Sequence, residues 1–285
     1  MAKTLSFNTI RRFRWSNASL ILFMMLYARP AQAQHGFSID NIKMAKWDGI
    51  GHVYLVRAPN QIESRTAQGK LQFTASFSEY GAISNLDLSN PLEPVVFFAD
   101  AGTVLTLDNT LSVLGKLNLW NILPFQVNAL CRAAQGGFWL LNARGREIVK
   151  IDNQGAVQDR NGFPGLGQGA HNPNLWYMAF NHGQLMLLYS GREAWVFDAF
   201  ANVQGHYQLP DVLAHPFVGE NEICGVTDQQ EAVCFSLSQK QKARKLKLGD
   251  HPLVNADPPP ILGMHFHQGR SLWWNQDSLV IQTKH

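Results

Sequence analysis

Three cysteines in 285 residues, and charged side chains at 16 % of positions against a usual ~25 %, leave this chain short of reactive groups. Three cysteines are too few for a disulfide framework. No Gly-x-Ser-x-Gly, His-Glu-x-x-His or phosphate-loop pattern occurs. The sequence therefore carries no nucleophile elbow, helical zinc pair or nucleotide cradle. No apolar run reaches the roughly 20 residues that span a bilayer. Helical periodicity is missing as well.

What is present begins with a leader. Lys3, Arg11, Arg12 and Arg14 form a basic start. Ser19–Ala28 is an apolar core, and Ala31-Gln32-Ala33 is a small-x-small cleavage site. Residues 1–33 read as a secretory signal peptide with Gln34 as the mature N-terminus. The residues around Arg11-Arg12 do not fit a twin-arginine signal, and no cysteine follows the core to take a lipid. The leader holds five of the 24 Lys and Arg and no acidic residue, leaving 19 bases against 21 acids. The basic pI of the whole chain thus belongs mostly to the leader, and nothing global points to nucleic acid. The leader predicts an exported protein, periplasmic or peripherally attached to the envelope. It has no transmembrane segment in the mature chain.

Residues 34–285 carry a repeat of about 42 residues. Its clearest mark is Val104-Leu-Thr-Leu-Asp108-Asn, Ile148-Val-Lys-Ile-Asp152-Asn and Ala194-Trp-Val-Phe-Asp198. Each copy follows an apolar run and a turn with Gly102, Gly145 or Gly191. β alternation at this period predicts an all-β, six-bladed β-propeller of four-stranded antiparallel blades. The last blade has three strands of its own, Ile261–His267, Ser271–Asn275 and Ser278–Thr283. The segment Gly36–Asn41 has no repeat, so Phe37 and Ile39 are expected to complete that blade as its outer strand. Blade two is expected to begin near Ala82, and blade five near Phe217–Glu220. Asp108, Asp152 and Asp198 end third strands and are expected to bind turn amides rather than line the channel.

These repeats resemble six-bladed propellers of the NHL and TolB type. Over Gly81–Leu209 the segments Leu88-Ser-Asn-Pro-Leu-Glu, Val104-Leu-Thr-Leu-Asp-Asn-Thr-Leu-Ser and Asn172-Pro-Asn-Leu look like an exported, uncharacterised propeller family of Bacteroidetes. The resemblance implies fold and an envelope location, and supplies no substrate and no site residues.

Candidate residues are few. His265 and His267 share one face of a predicted innermost strand and could aim at one metal. Two ligands are not a site, and His171, His215 and His251 are placed in inter-blade loops. No cofactor is expected. Pro164-Gly-Leu-Gly-Gln-Gly169 has the wrong spacing for a dinucleotide loop, and no helix follows it. Lys242, Arg244 and Lys245 fall on the outer strand of blade five, where charge blocks edge pairing or docks an acidic partner. The pairs Trp176-Tyr177 and Trp273-Trp274 should each put one ring between blades and one near a surface or the channel. Trp176 and Trp274 are therefore candidate partner contacts. Cys224 and Cys234 flank a turn centred on Gln229 and would face each other on paired strands. They are either a disulfide or two small buried residues. Cys131 remains as a buried thiol. The favoured function is a non-enzymatic binding or scaffolding propeller of the cell envelope that engages a protein. The competing function is a lactonase-like hydrolase with a metal in the axial channel.

Overall fold

A computed structural model of the chain describes residues 34–142, 144, 146–162, 176–189, 192–209, 213–219, 222–237, 243–245, 261–267 and 270–283. The strands form six four-stranded antiparallel sheets. The chain opens with β1 (Gln34–Ser38). Blade one is β2 (Ile42–Trp47), β3 (Val53–Arg57), β4 (Gln61–Arg65) and β5 (Leu71–Ser76). Blade two is β6 (Asn85–Asp87), β7 (Val95–Phe98), β8 (Thr103–Leu107) and β9 (Val113–Asn118). Blade three is β10 (Ala129–Arg132), β11 (Phe138–Asn142), β12 (Glu147–Ile151) and β13 (Val157–Gly162). Blade four is β14 (Trp176–Asn181), β15 (Gln184–Tyr189), β16 (Glu193–Phe197) and β17 (Val203–Gln208). Blade five is β18 (Ala214–Val218), β19 (Glu222–Val226), β20 (Ala232–Ser236) and β21 (Ala243–Lys245). Blade six is β22 (Gly263–His267), β23 (Arg270–Trp274) and β24 (Ser278–Thr283), completed by β1 in the order β1-β24-β23-β22.

The ring is closed by its two ends. β1 pairs antiparallel with β24 from Gln34 opposite Gln282 to Ser38 opposite Ser278. Phe37 lies in that strand, opposite Leu279. Ile39 falls just beyond it and is buried between blades six and one. Each junction between neighbouring blades holds its own apolar cluster. Phe97 and Leu140 meet between blades two and three, and Trp139 and Leu187 between blades three and four. Both faces of a blade are therefore covered, which corrects the expected alternation of apolar and polar residues. β7 and β11 are buried at every position, because neither face meets water. Alternating exposure is seen on outer strands such as β9 and β17.

Third and fourth strands are joined by one recurring device. A register shift precedes the turn at Ser64/Arg65, Thr106/Leu107, Lys150/Ile151 and Val196/Phe197. A bulge of this kind adds twist and swings the outer strand away from the axis. The turn that follows is held by an acceptor side chain. Asp108 Oδ1 accepts from the N–H groups of Thr110 and Ser112 at 2.8 and 2.9 Å. Asp152 and Asp198 repeat the pattern at 2.8–2.9 Å. These aspartates serve turns, as their position in the sequence predicts.

Blade two starts at Asn85 rather than near Ala82, after a one-turn 3-10 helix at Ser78–Tyr80. Blade five starts at Ala214, earlier than Phe217–Glu220. Pro216 hides this strand in the sequence. It is tolerated because the strand is irregular between Ala214 and Phe217, and its inner edge has no sheet partner. His215 belongs to this innermost strand, with φ of 44°, and not to a loop.

Candidate functional site

Six innermost strands surround the axis, and each presents one backbone edge without a sheet partner. Side chains from neighbouring blades bind part of that edge. Asn85 donates from Nδ2 to the Leu130 carbonyl at 3.0 Å, and Asp87 Oδ2 accepts from the Arg132 N–H at 2.8 Å. Asn181 donates to the Val218 carbonyl at 3.2 Å. His265 Nδ1 accepts from the Trp47 N–H at 2.9 Å. These bonds join blades two to three, four to five, and six to one, each contributing about 1 kcal/mol net.

Lys46, next to last in β2, reaches across the axis. Its Nζ donates to the Leu86 carbonyl at 2.7 Å and to Asn85 Oδ1 at 3.1 Å. It also stands 5.3 Å from the ring centroid of Tyr177, in the opposite blade. Among the described residues no carboxylate pairs with it. The Lys46 side chain keeps partial solvent access, while its ammonium lies deep along the axis among protein atoms. A little confined water solvates charge poorly, so the ammonium behaves as a buried group. Burial pulls the Lys46 pKa down to about 8, with Asp87 opposing. Burial, with Asp87 next, pushes the Tyr177 phenol up. Burial, with Lys46 next, holds His215 below the usual imidazole range. At neutral pH Lys46 is therefore an ammonium, Tyr177 a phenol and His215 a neutral imidazole.

Between pH 8 and 10.5 the unfolded chain keeps a proton on Lys46 that the folded chain has released. Stability must rise with pH in that window. From pH 7 to 9.5 the gain is about 2 kcal/mol. Chemical denaturation at both pH values should show the rise in the wild type and its loss in Lys46→Met. A wild type whose stability is flat over the interval would contradict the buried ammonium.

Of the residues singled out in the sequence, His265 lies on the innermost strand β22, with Nδ1 committed to Trp47 and its ring edge-on to Phe217 at 4.4 Å. It acts as a link between blades. His267 sits opposite Arg270, and only its backbone is described. His171, His251 and Lys242 lie outside the described residues, as do Gly145, Gly191 and the segment Pro164–Gly169. Arg244 and Lys245 occupy the outer strand β21 opposite Cys234 and Val233. Trp176 opens β14, opposite Tyr189. Trp274 is 2 % exposed and packs between blades six and one, while Trp273 packs between blades five and six. The expectation that one ring of this pair reaches a surface is corrected: both strand faces are interior. Cys224 and Cys234 face each other with Cα atoms 4.0 Å apart and are joined as a disulfide. Glu222 comes within reach of the two sulfurs, the one such group of three possible metal ligands among the described residues. Both sulfurs are already bonded to each other. Cys131 is buried and unbridged.

Sequence reading missed Lys46, Tyr177, Asn85 and Asp87 as a group. Their signal is a polar side chain near an end of each innermost strand, visible only once the strands are arranged around an axis.

The fold places the chain in one class, the six-bladed β-propellers. No protein-family model matches the chain, and no curated protein does. Solved structures do. A catalytically inactive virginiamycin B lyase from Staphylococcus aureus, with quinupristin, superposes with a TM-score of 0.61 at 10 % identity, over 89 % of this chain and 100 % of that one. BamB from Moraxella catarrhalis gives 0.50 at 11 % identity, over 85 % and 84 %. YCF48 bound to D1 peptide gives 0.53 at 10 % identity, over 90 % and 96 %. At such identities the likeness is one of fold alone.

Proposed function

We propose that this chain is a non-enzymatic binding propeller of the bacterial cell envelope, exported by residues 1–33 and engaging a protein partner. The NHL/TolB-like type and the kinship with exported Bacteroidetes propellers belong to the same reading. The observation that carries the reading is Lys46. Its ammonium reaches into the axis, the region where the competing hydrolase reading would need a metal cation, and like charges repel. The described acidic and amide side chains near it are spent on neighbouring blades. A structural neighbour solved with a bound peptide supports a binding role, and a lyase neighbour keeps the enzyme reading worth testing.

The test is affinity capture from envelope extracts together with elemental analysis of the purified protein. A discrete, saturable protein partner and less than one metal per chain are expected. One bound metal per chain, with hydrolase activity lost in the His265→Ala, His267→Ala double variant, would establish the enzyme in its place.

A further inference from the structure

We propose that the axial channel binds a carboxylate of an acidic peptide from the partner, on Lys46, Tyr177 and His215. This rests on the partner reading above and names the chemistry of its contact.

An ammonium held in the protein interior is ordinarily paired with an anion. Lys46 instead donates to two neutral carbonyl oxygens, one of the Leu86 backbone and one of the Asn85 side chain. An ammonium has three N–H donors, so one remains. Tyr177 is partly exposed in the channel, and its hydroxyl has no hydrogen bond among the described residues. The neutral imidazole of His215 carries a further N–H, and its ring meets Trp274 edge-on at 5.7 Å. Three donors thus come from blades one, four and five, with one net positive charge among them.

Charge bears on the choice of ligand. Asp87 already acts on both Lys46 and Tyr177, so a singly charged carboxylate adds less repulsion beside it than phosphate would. The axis is narrow at this level, since Lys46 Nζ lies 5.3 Å from the ring centroid of Tyr177 in the opposite blade, which favours a small anionic group over a bulky one. The direction of approach follows from topology. Asn85 is the first residue of β6, and Tyr177 and His215 are second in β14 and β18. Lys46 is rooted next to last in β2 and reaches back with its side chain to Asn85 and Tyr177, so the donors lie toward the face where connections from one blade enter the next. Trp120, 48 % exposed, lies in the connection between blades two and three on that same face. It packs over Gly102, whose φ of 57° and missing side chain leave room for the indole.

The probe is an acetylated, amidated Gly-Gly-Glu peptide, with its Gly-Gly-Gln counterpart and inorganic phosphate beside it, titrated calorimetrically into the full chain. We expect the glutamate peptide to bind at least tenfold more tightly than either control at pH 7 and to weaken as pH rises past about 8. Titratable groups on the other innermost strands include Asp87 on β6, Cys131 on β10, Tyr177 on β14, His215 on β18 and His265 on β22. Cys131 is raised well above its usual range and Tyr177 upward, and His215 lowered, so the loss above pH 8 reports Lys46. Lys46→Met should cost at least tenfold, and Tyr177→Phe about three- to tenfold, the worth of one hydrogen bond. Equal binding of the glutamine peptide overturns the proposal without any variant, and so does phosphate binding as tight as the glutamate peptide. If Lys46→Met captures the envelope partner undiminished, the partner reading stands and the carboxylate site falls. If the glutamate peptide binds as expected but no partner is captured, the site stands and the partner reading falls.

Discussion

Deleting residues 34–41 is expected to lower the melting temperature by on the order of 10–20 °C. The five residues of β1 form the outer strand of blade six, from Gln34 to Ser38. Ile39 N–H then donates to the Asp277 carbonyl, and the Asn41 carbonyl accepts from the Ala58 N–H, both at 3.0 Å. Several such bonds at roughly 1 kcal/mol each are lost together. Burial of Ile39, 7 % exposed, adds about 1.5–3 kcal/mol. The loss also strips β24 of its outer neighbour, leaving a raw sheet edge. Thermal unfolding of the full chain and the deletion, followed by circular dichroism, measures the effect. A synthetic peptide of residues 34–41 should restore part of it. An unchanged melting temperature would sink the closure described here.

Glu63→Ala should be strongly destabilising. Glu63 is 3 % exposed, and what shields it is largely the two arginines that grip it. Arg57 binds one carboxylate oxygen, and Arg65 binds the other through Nε at 2.8 Å and NH2 at 2.6 Å. Burial alone would raise the Glu63 pKa, but the hydrogen bonds and charges of Arg57 and Arg65 outweigh it and hold it low. Removing the carboxylate leaves two half-buried guanidinium groups facing each other. The cost is about 2–4 kcal/mol, below that of a fully buried pair because both arginines keep some solvent. That corresponds to a drop of roughly 5–15 °C. A depressed carboxylate pKa stabilises above the unfolded value near 4.5 and ceases to do so as pH falls through the folded value. The gap between wild type and variant should therefore begin to narrow as pH falls below the unfolded value near 4.5. A gap that persists undiminished at pH 3 would mean the loss is one of packing rather than of charge.

Repeats and turns made most of this fold legible in the sequence. The Asp108, Asp152 and Asp198 turns mark blades two, three and four, since a tight turn needs both an acceptor and a residue with positive φ. The closing strand was legible from arithmetic: one blade lacked a strand and one segment lacked a repeat. Blade five was blurred because Pro216 interrupts the strand pattern, although an innermost strand with a free edge can hold it. That same blur hid His215. Trp274 was misassigned because alternation implies an outside, and a blade enclosed by two neighbours has none at its middle strands. Lys46 was overlooked for a different reason. A lysine in a short strand reads as a solvent-facing residue, and only closure of the ring brings Tyr177 of the opposite blade against it.

The central claim is that a protein partner engages the axial face carrying the inter-blade connections. Site-specific photo-crosslinking in the native host tests it most directly. One photoreactive residue replaces Glu79, exposed in the connection between blades one and two, and another replaces Ile50, exposed in the hairpin turn at the opposite face. Docking on the axial face predicts a discrete protein adduct from position 79 that fades when Lys46→Met is added, and none from position 50. An adduct from position 50 alone, or one from position 79 indifferent to Lys46, would contradict it.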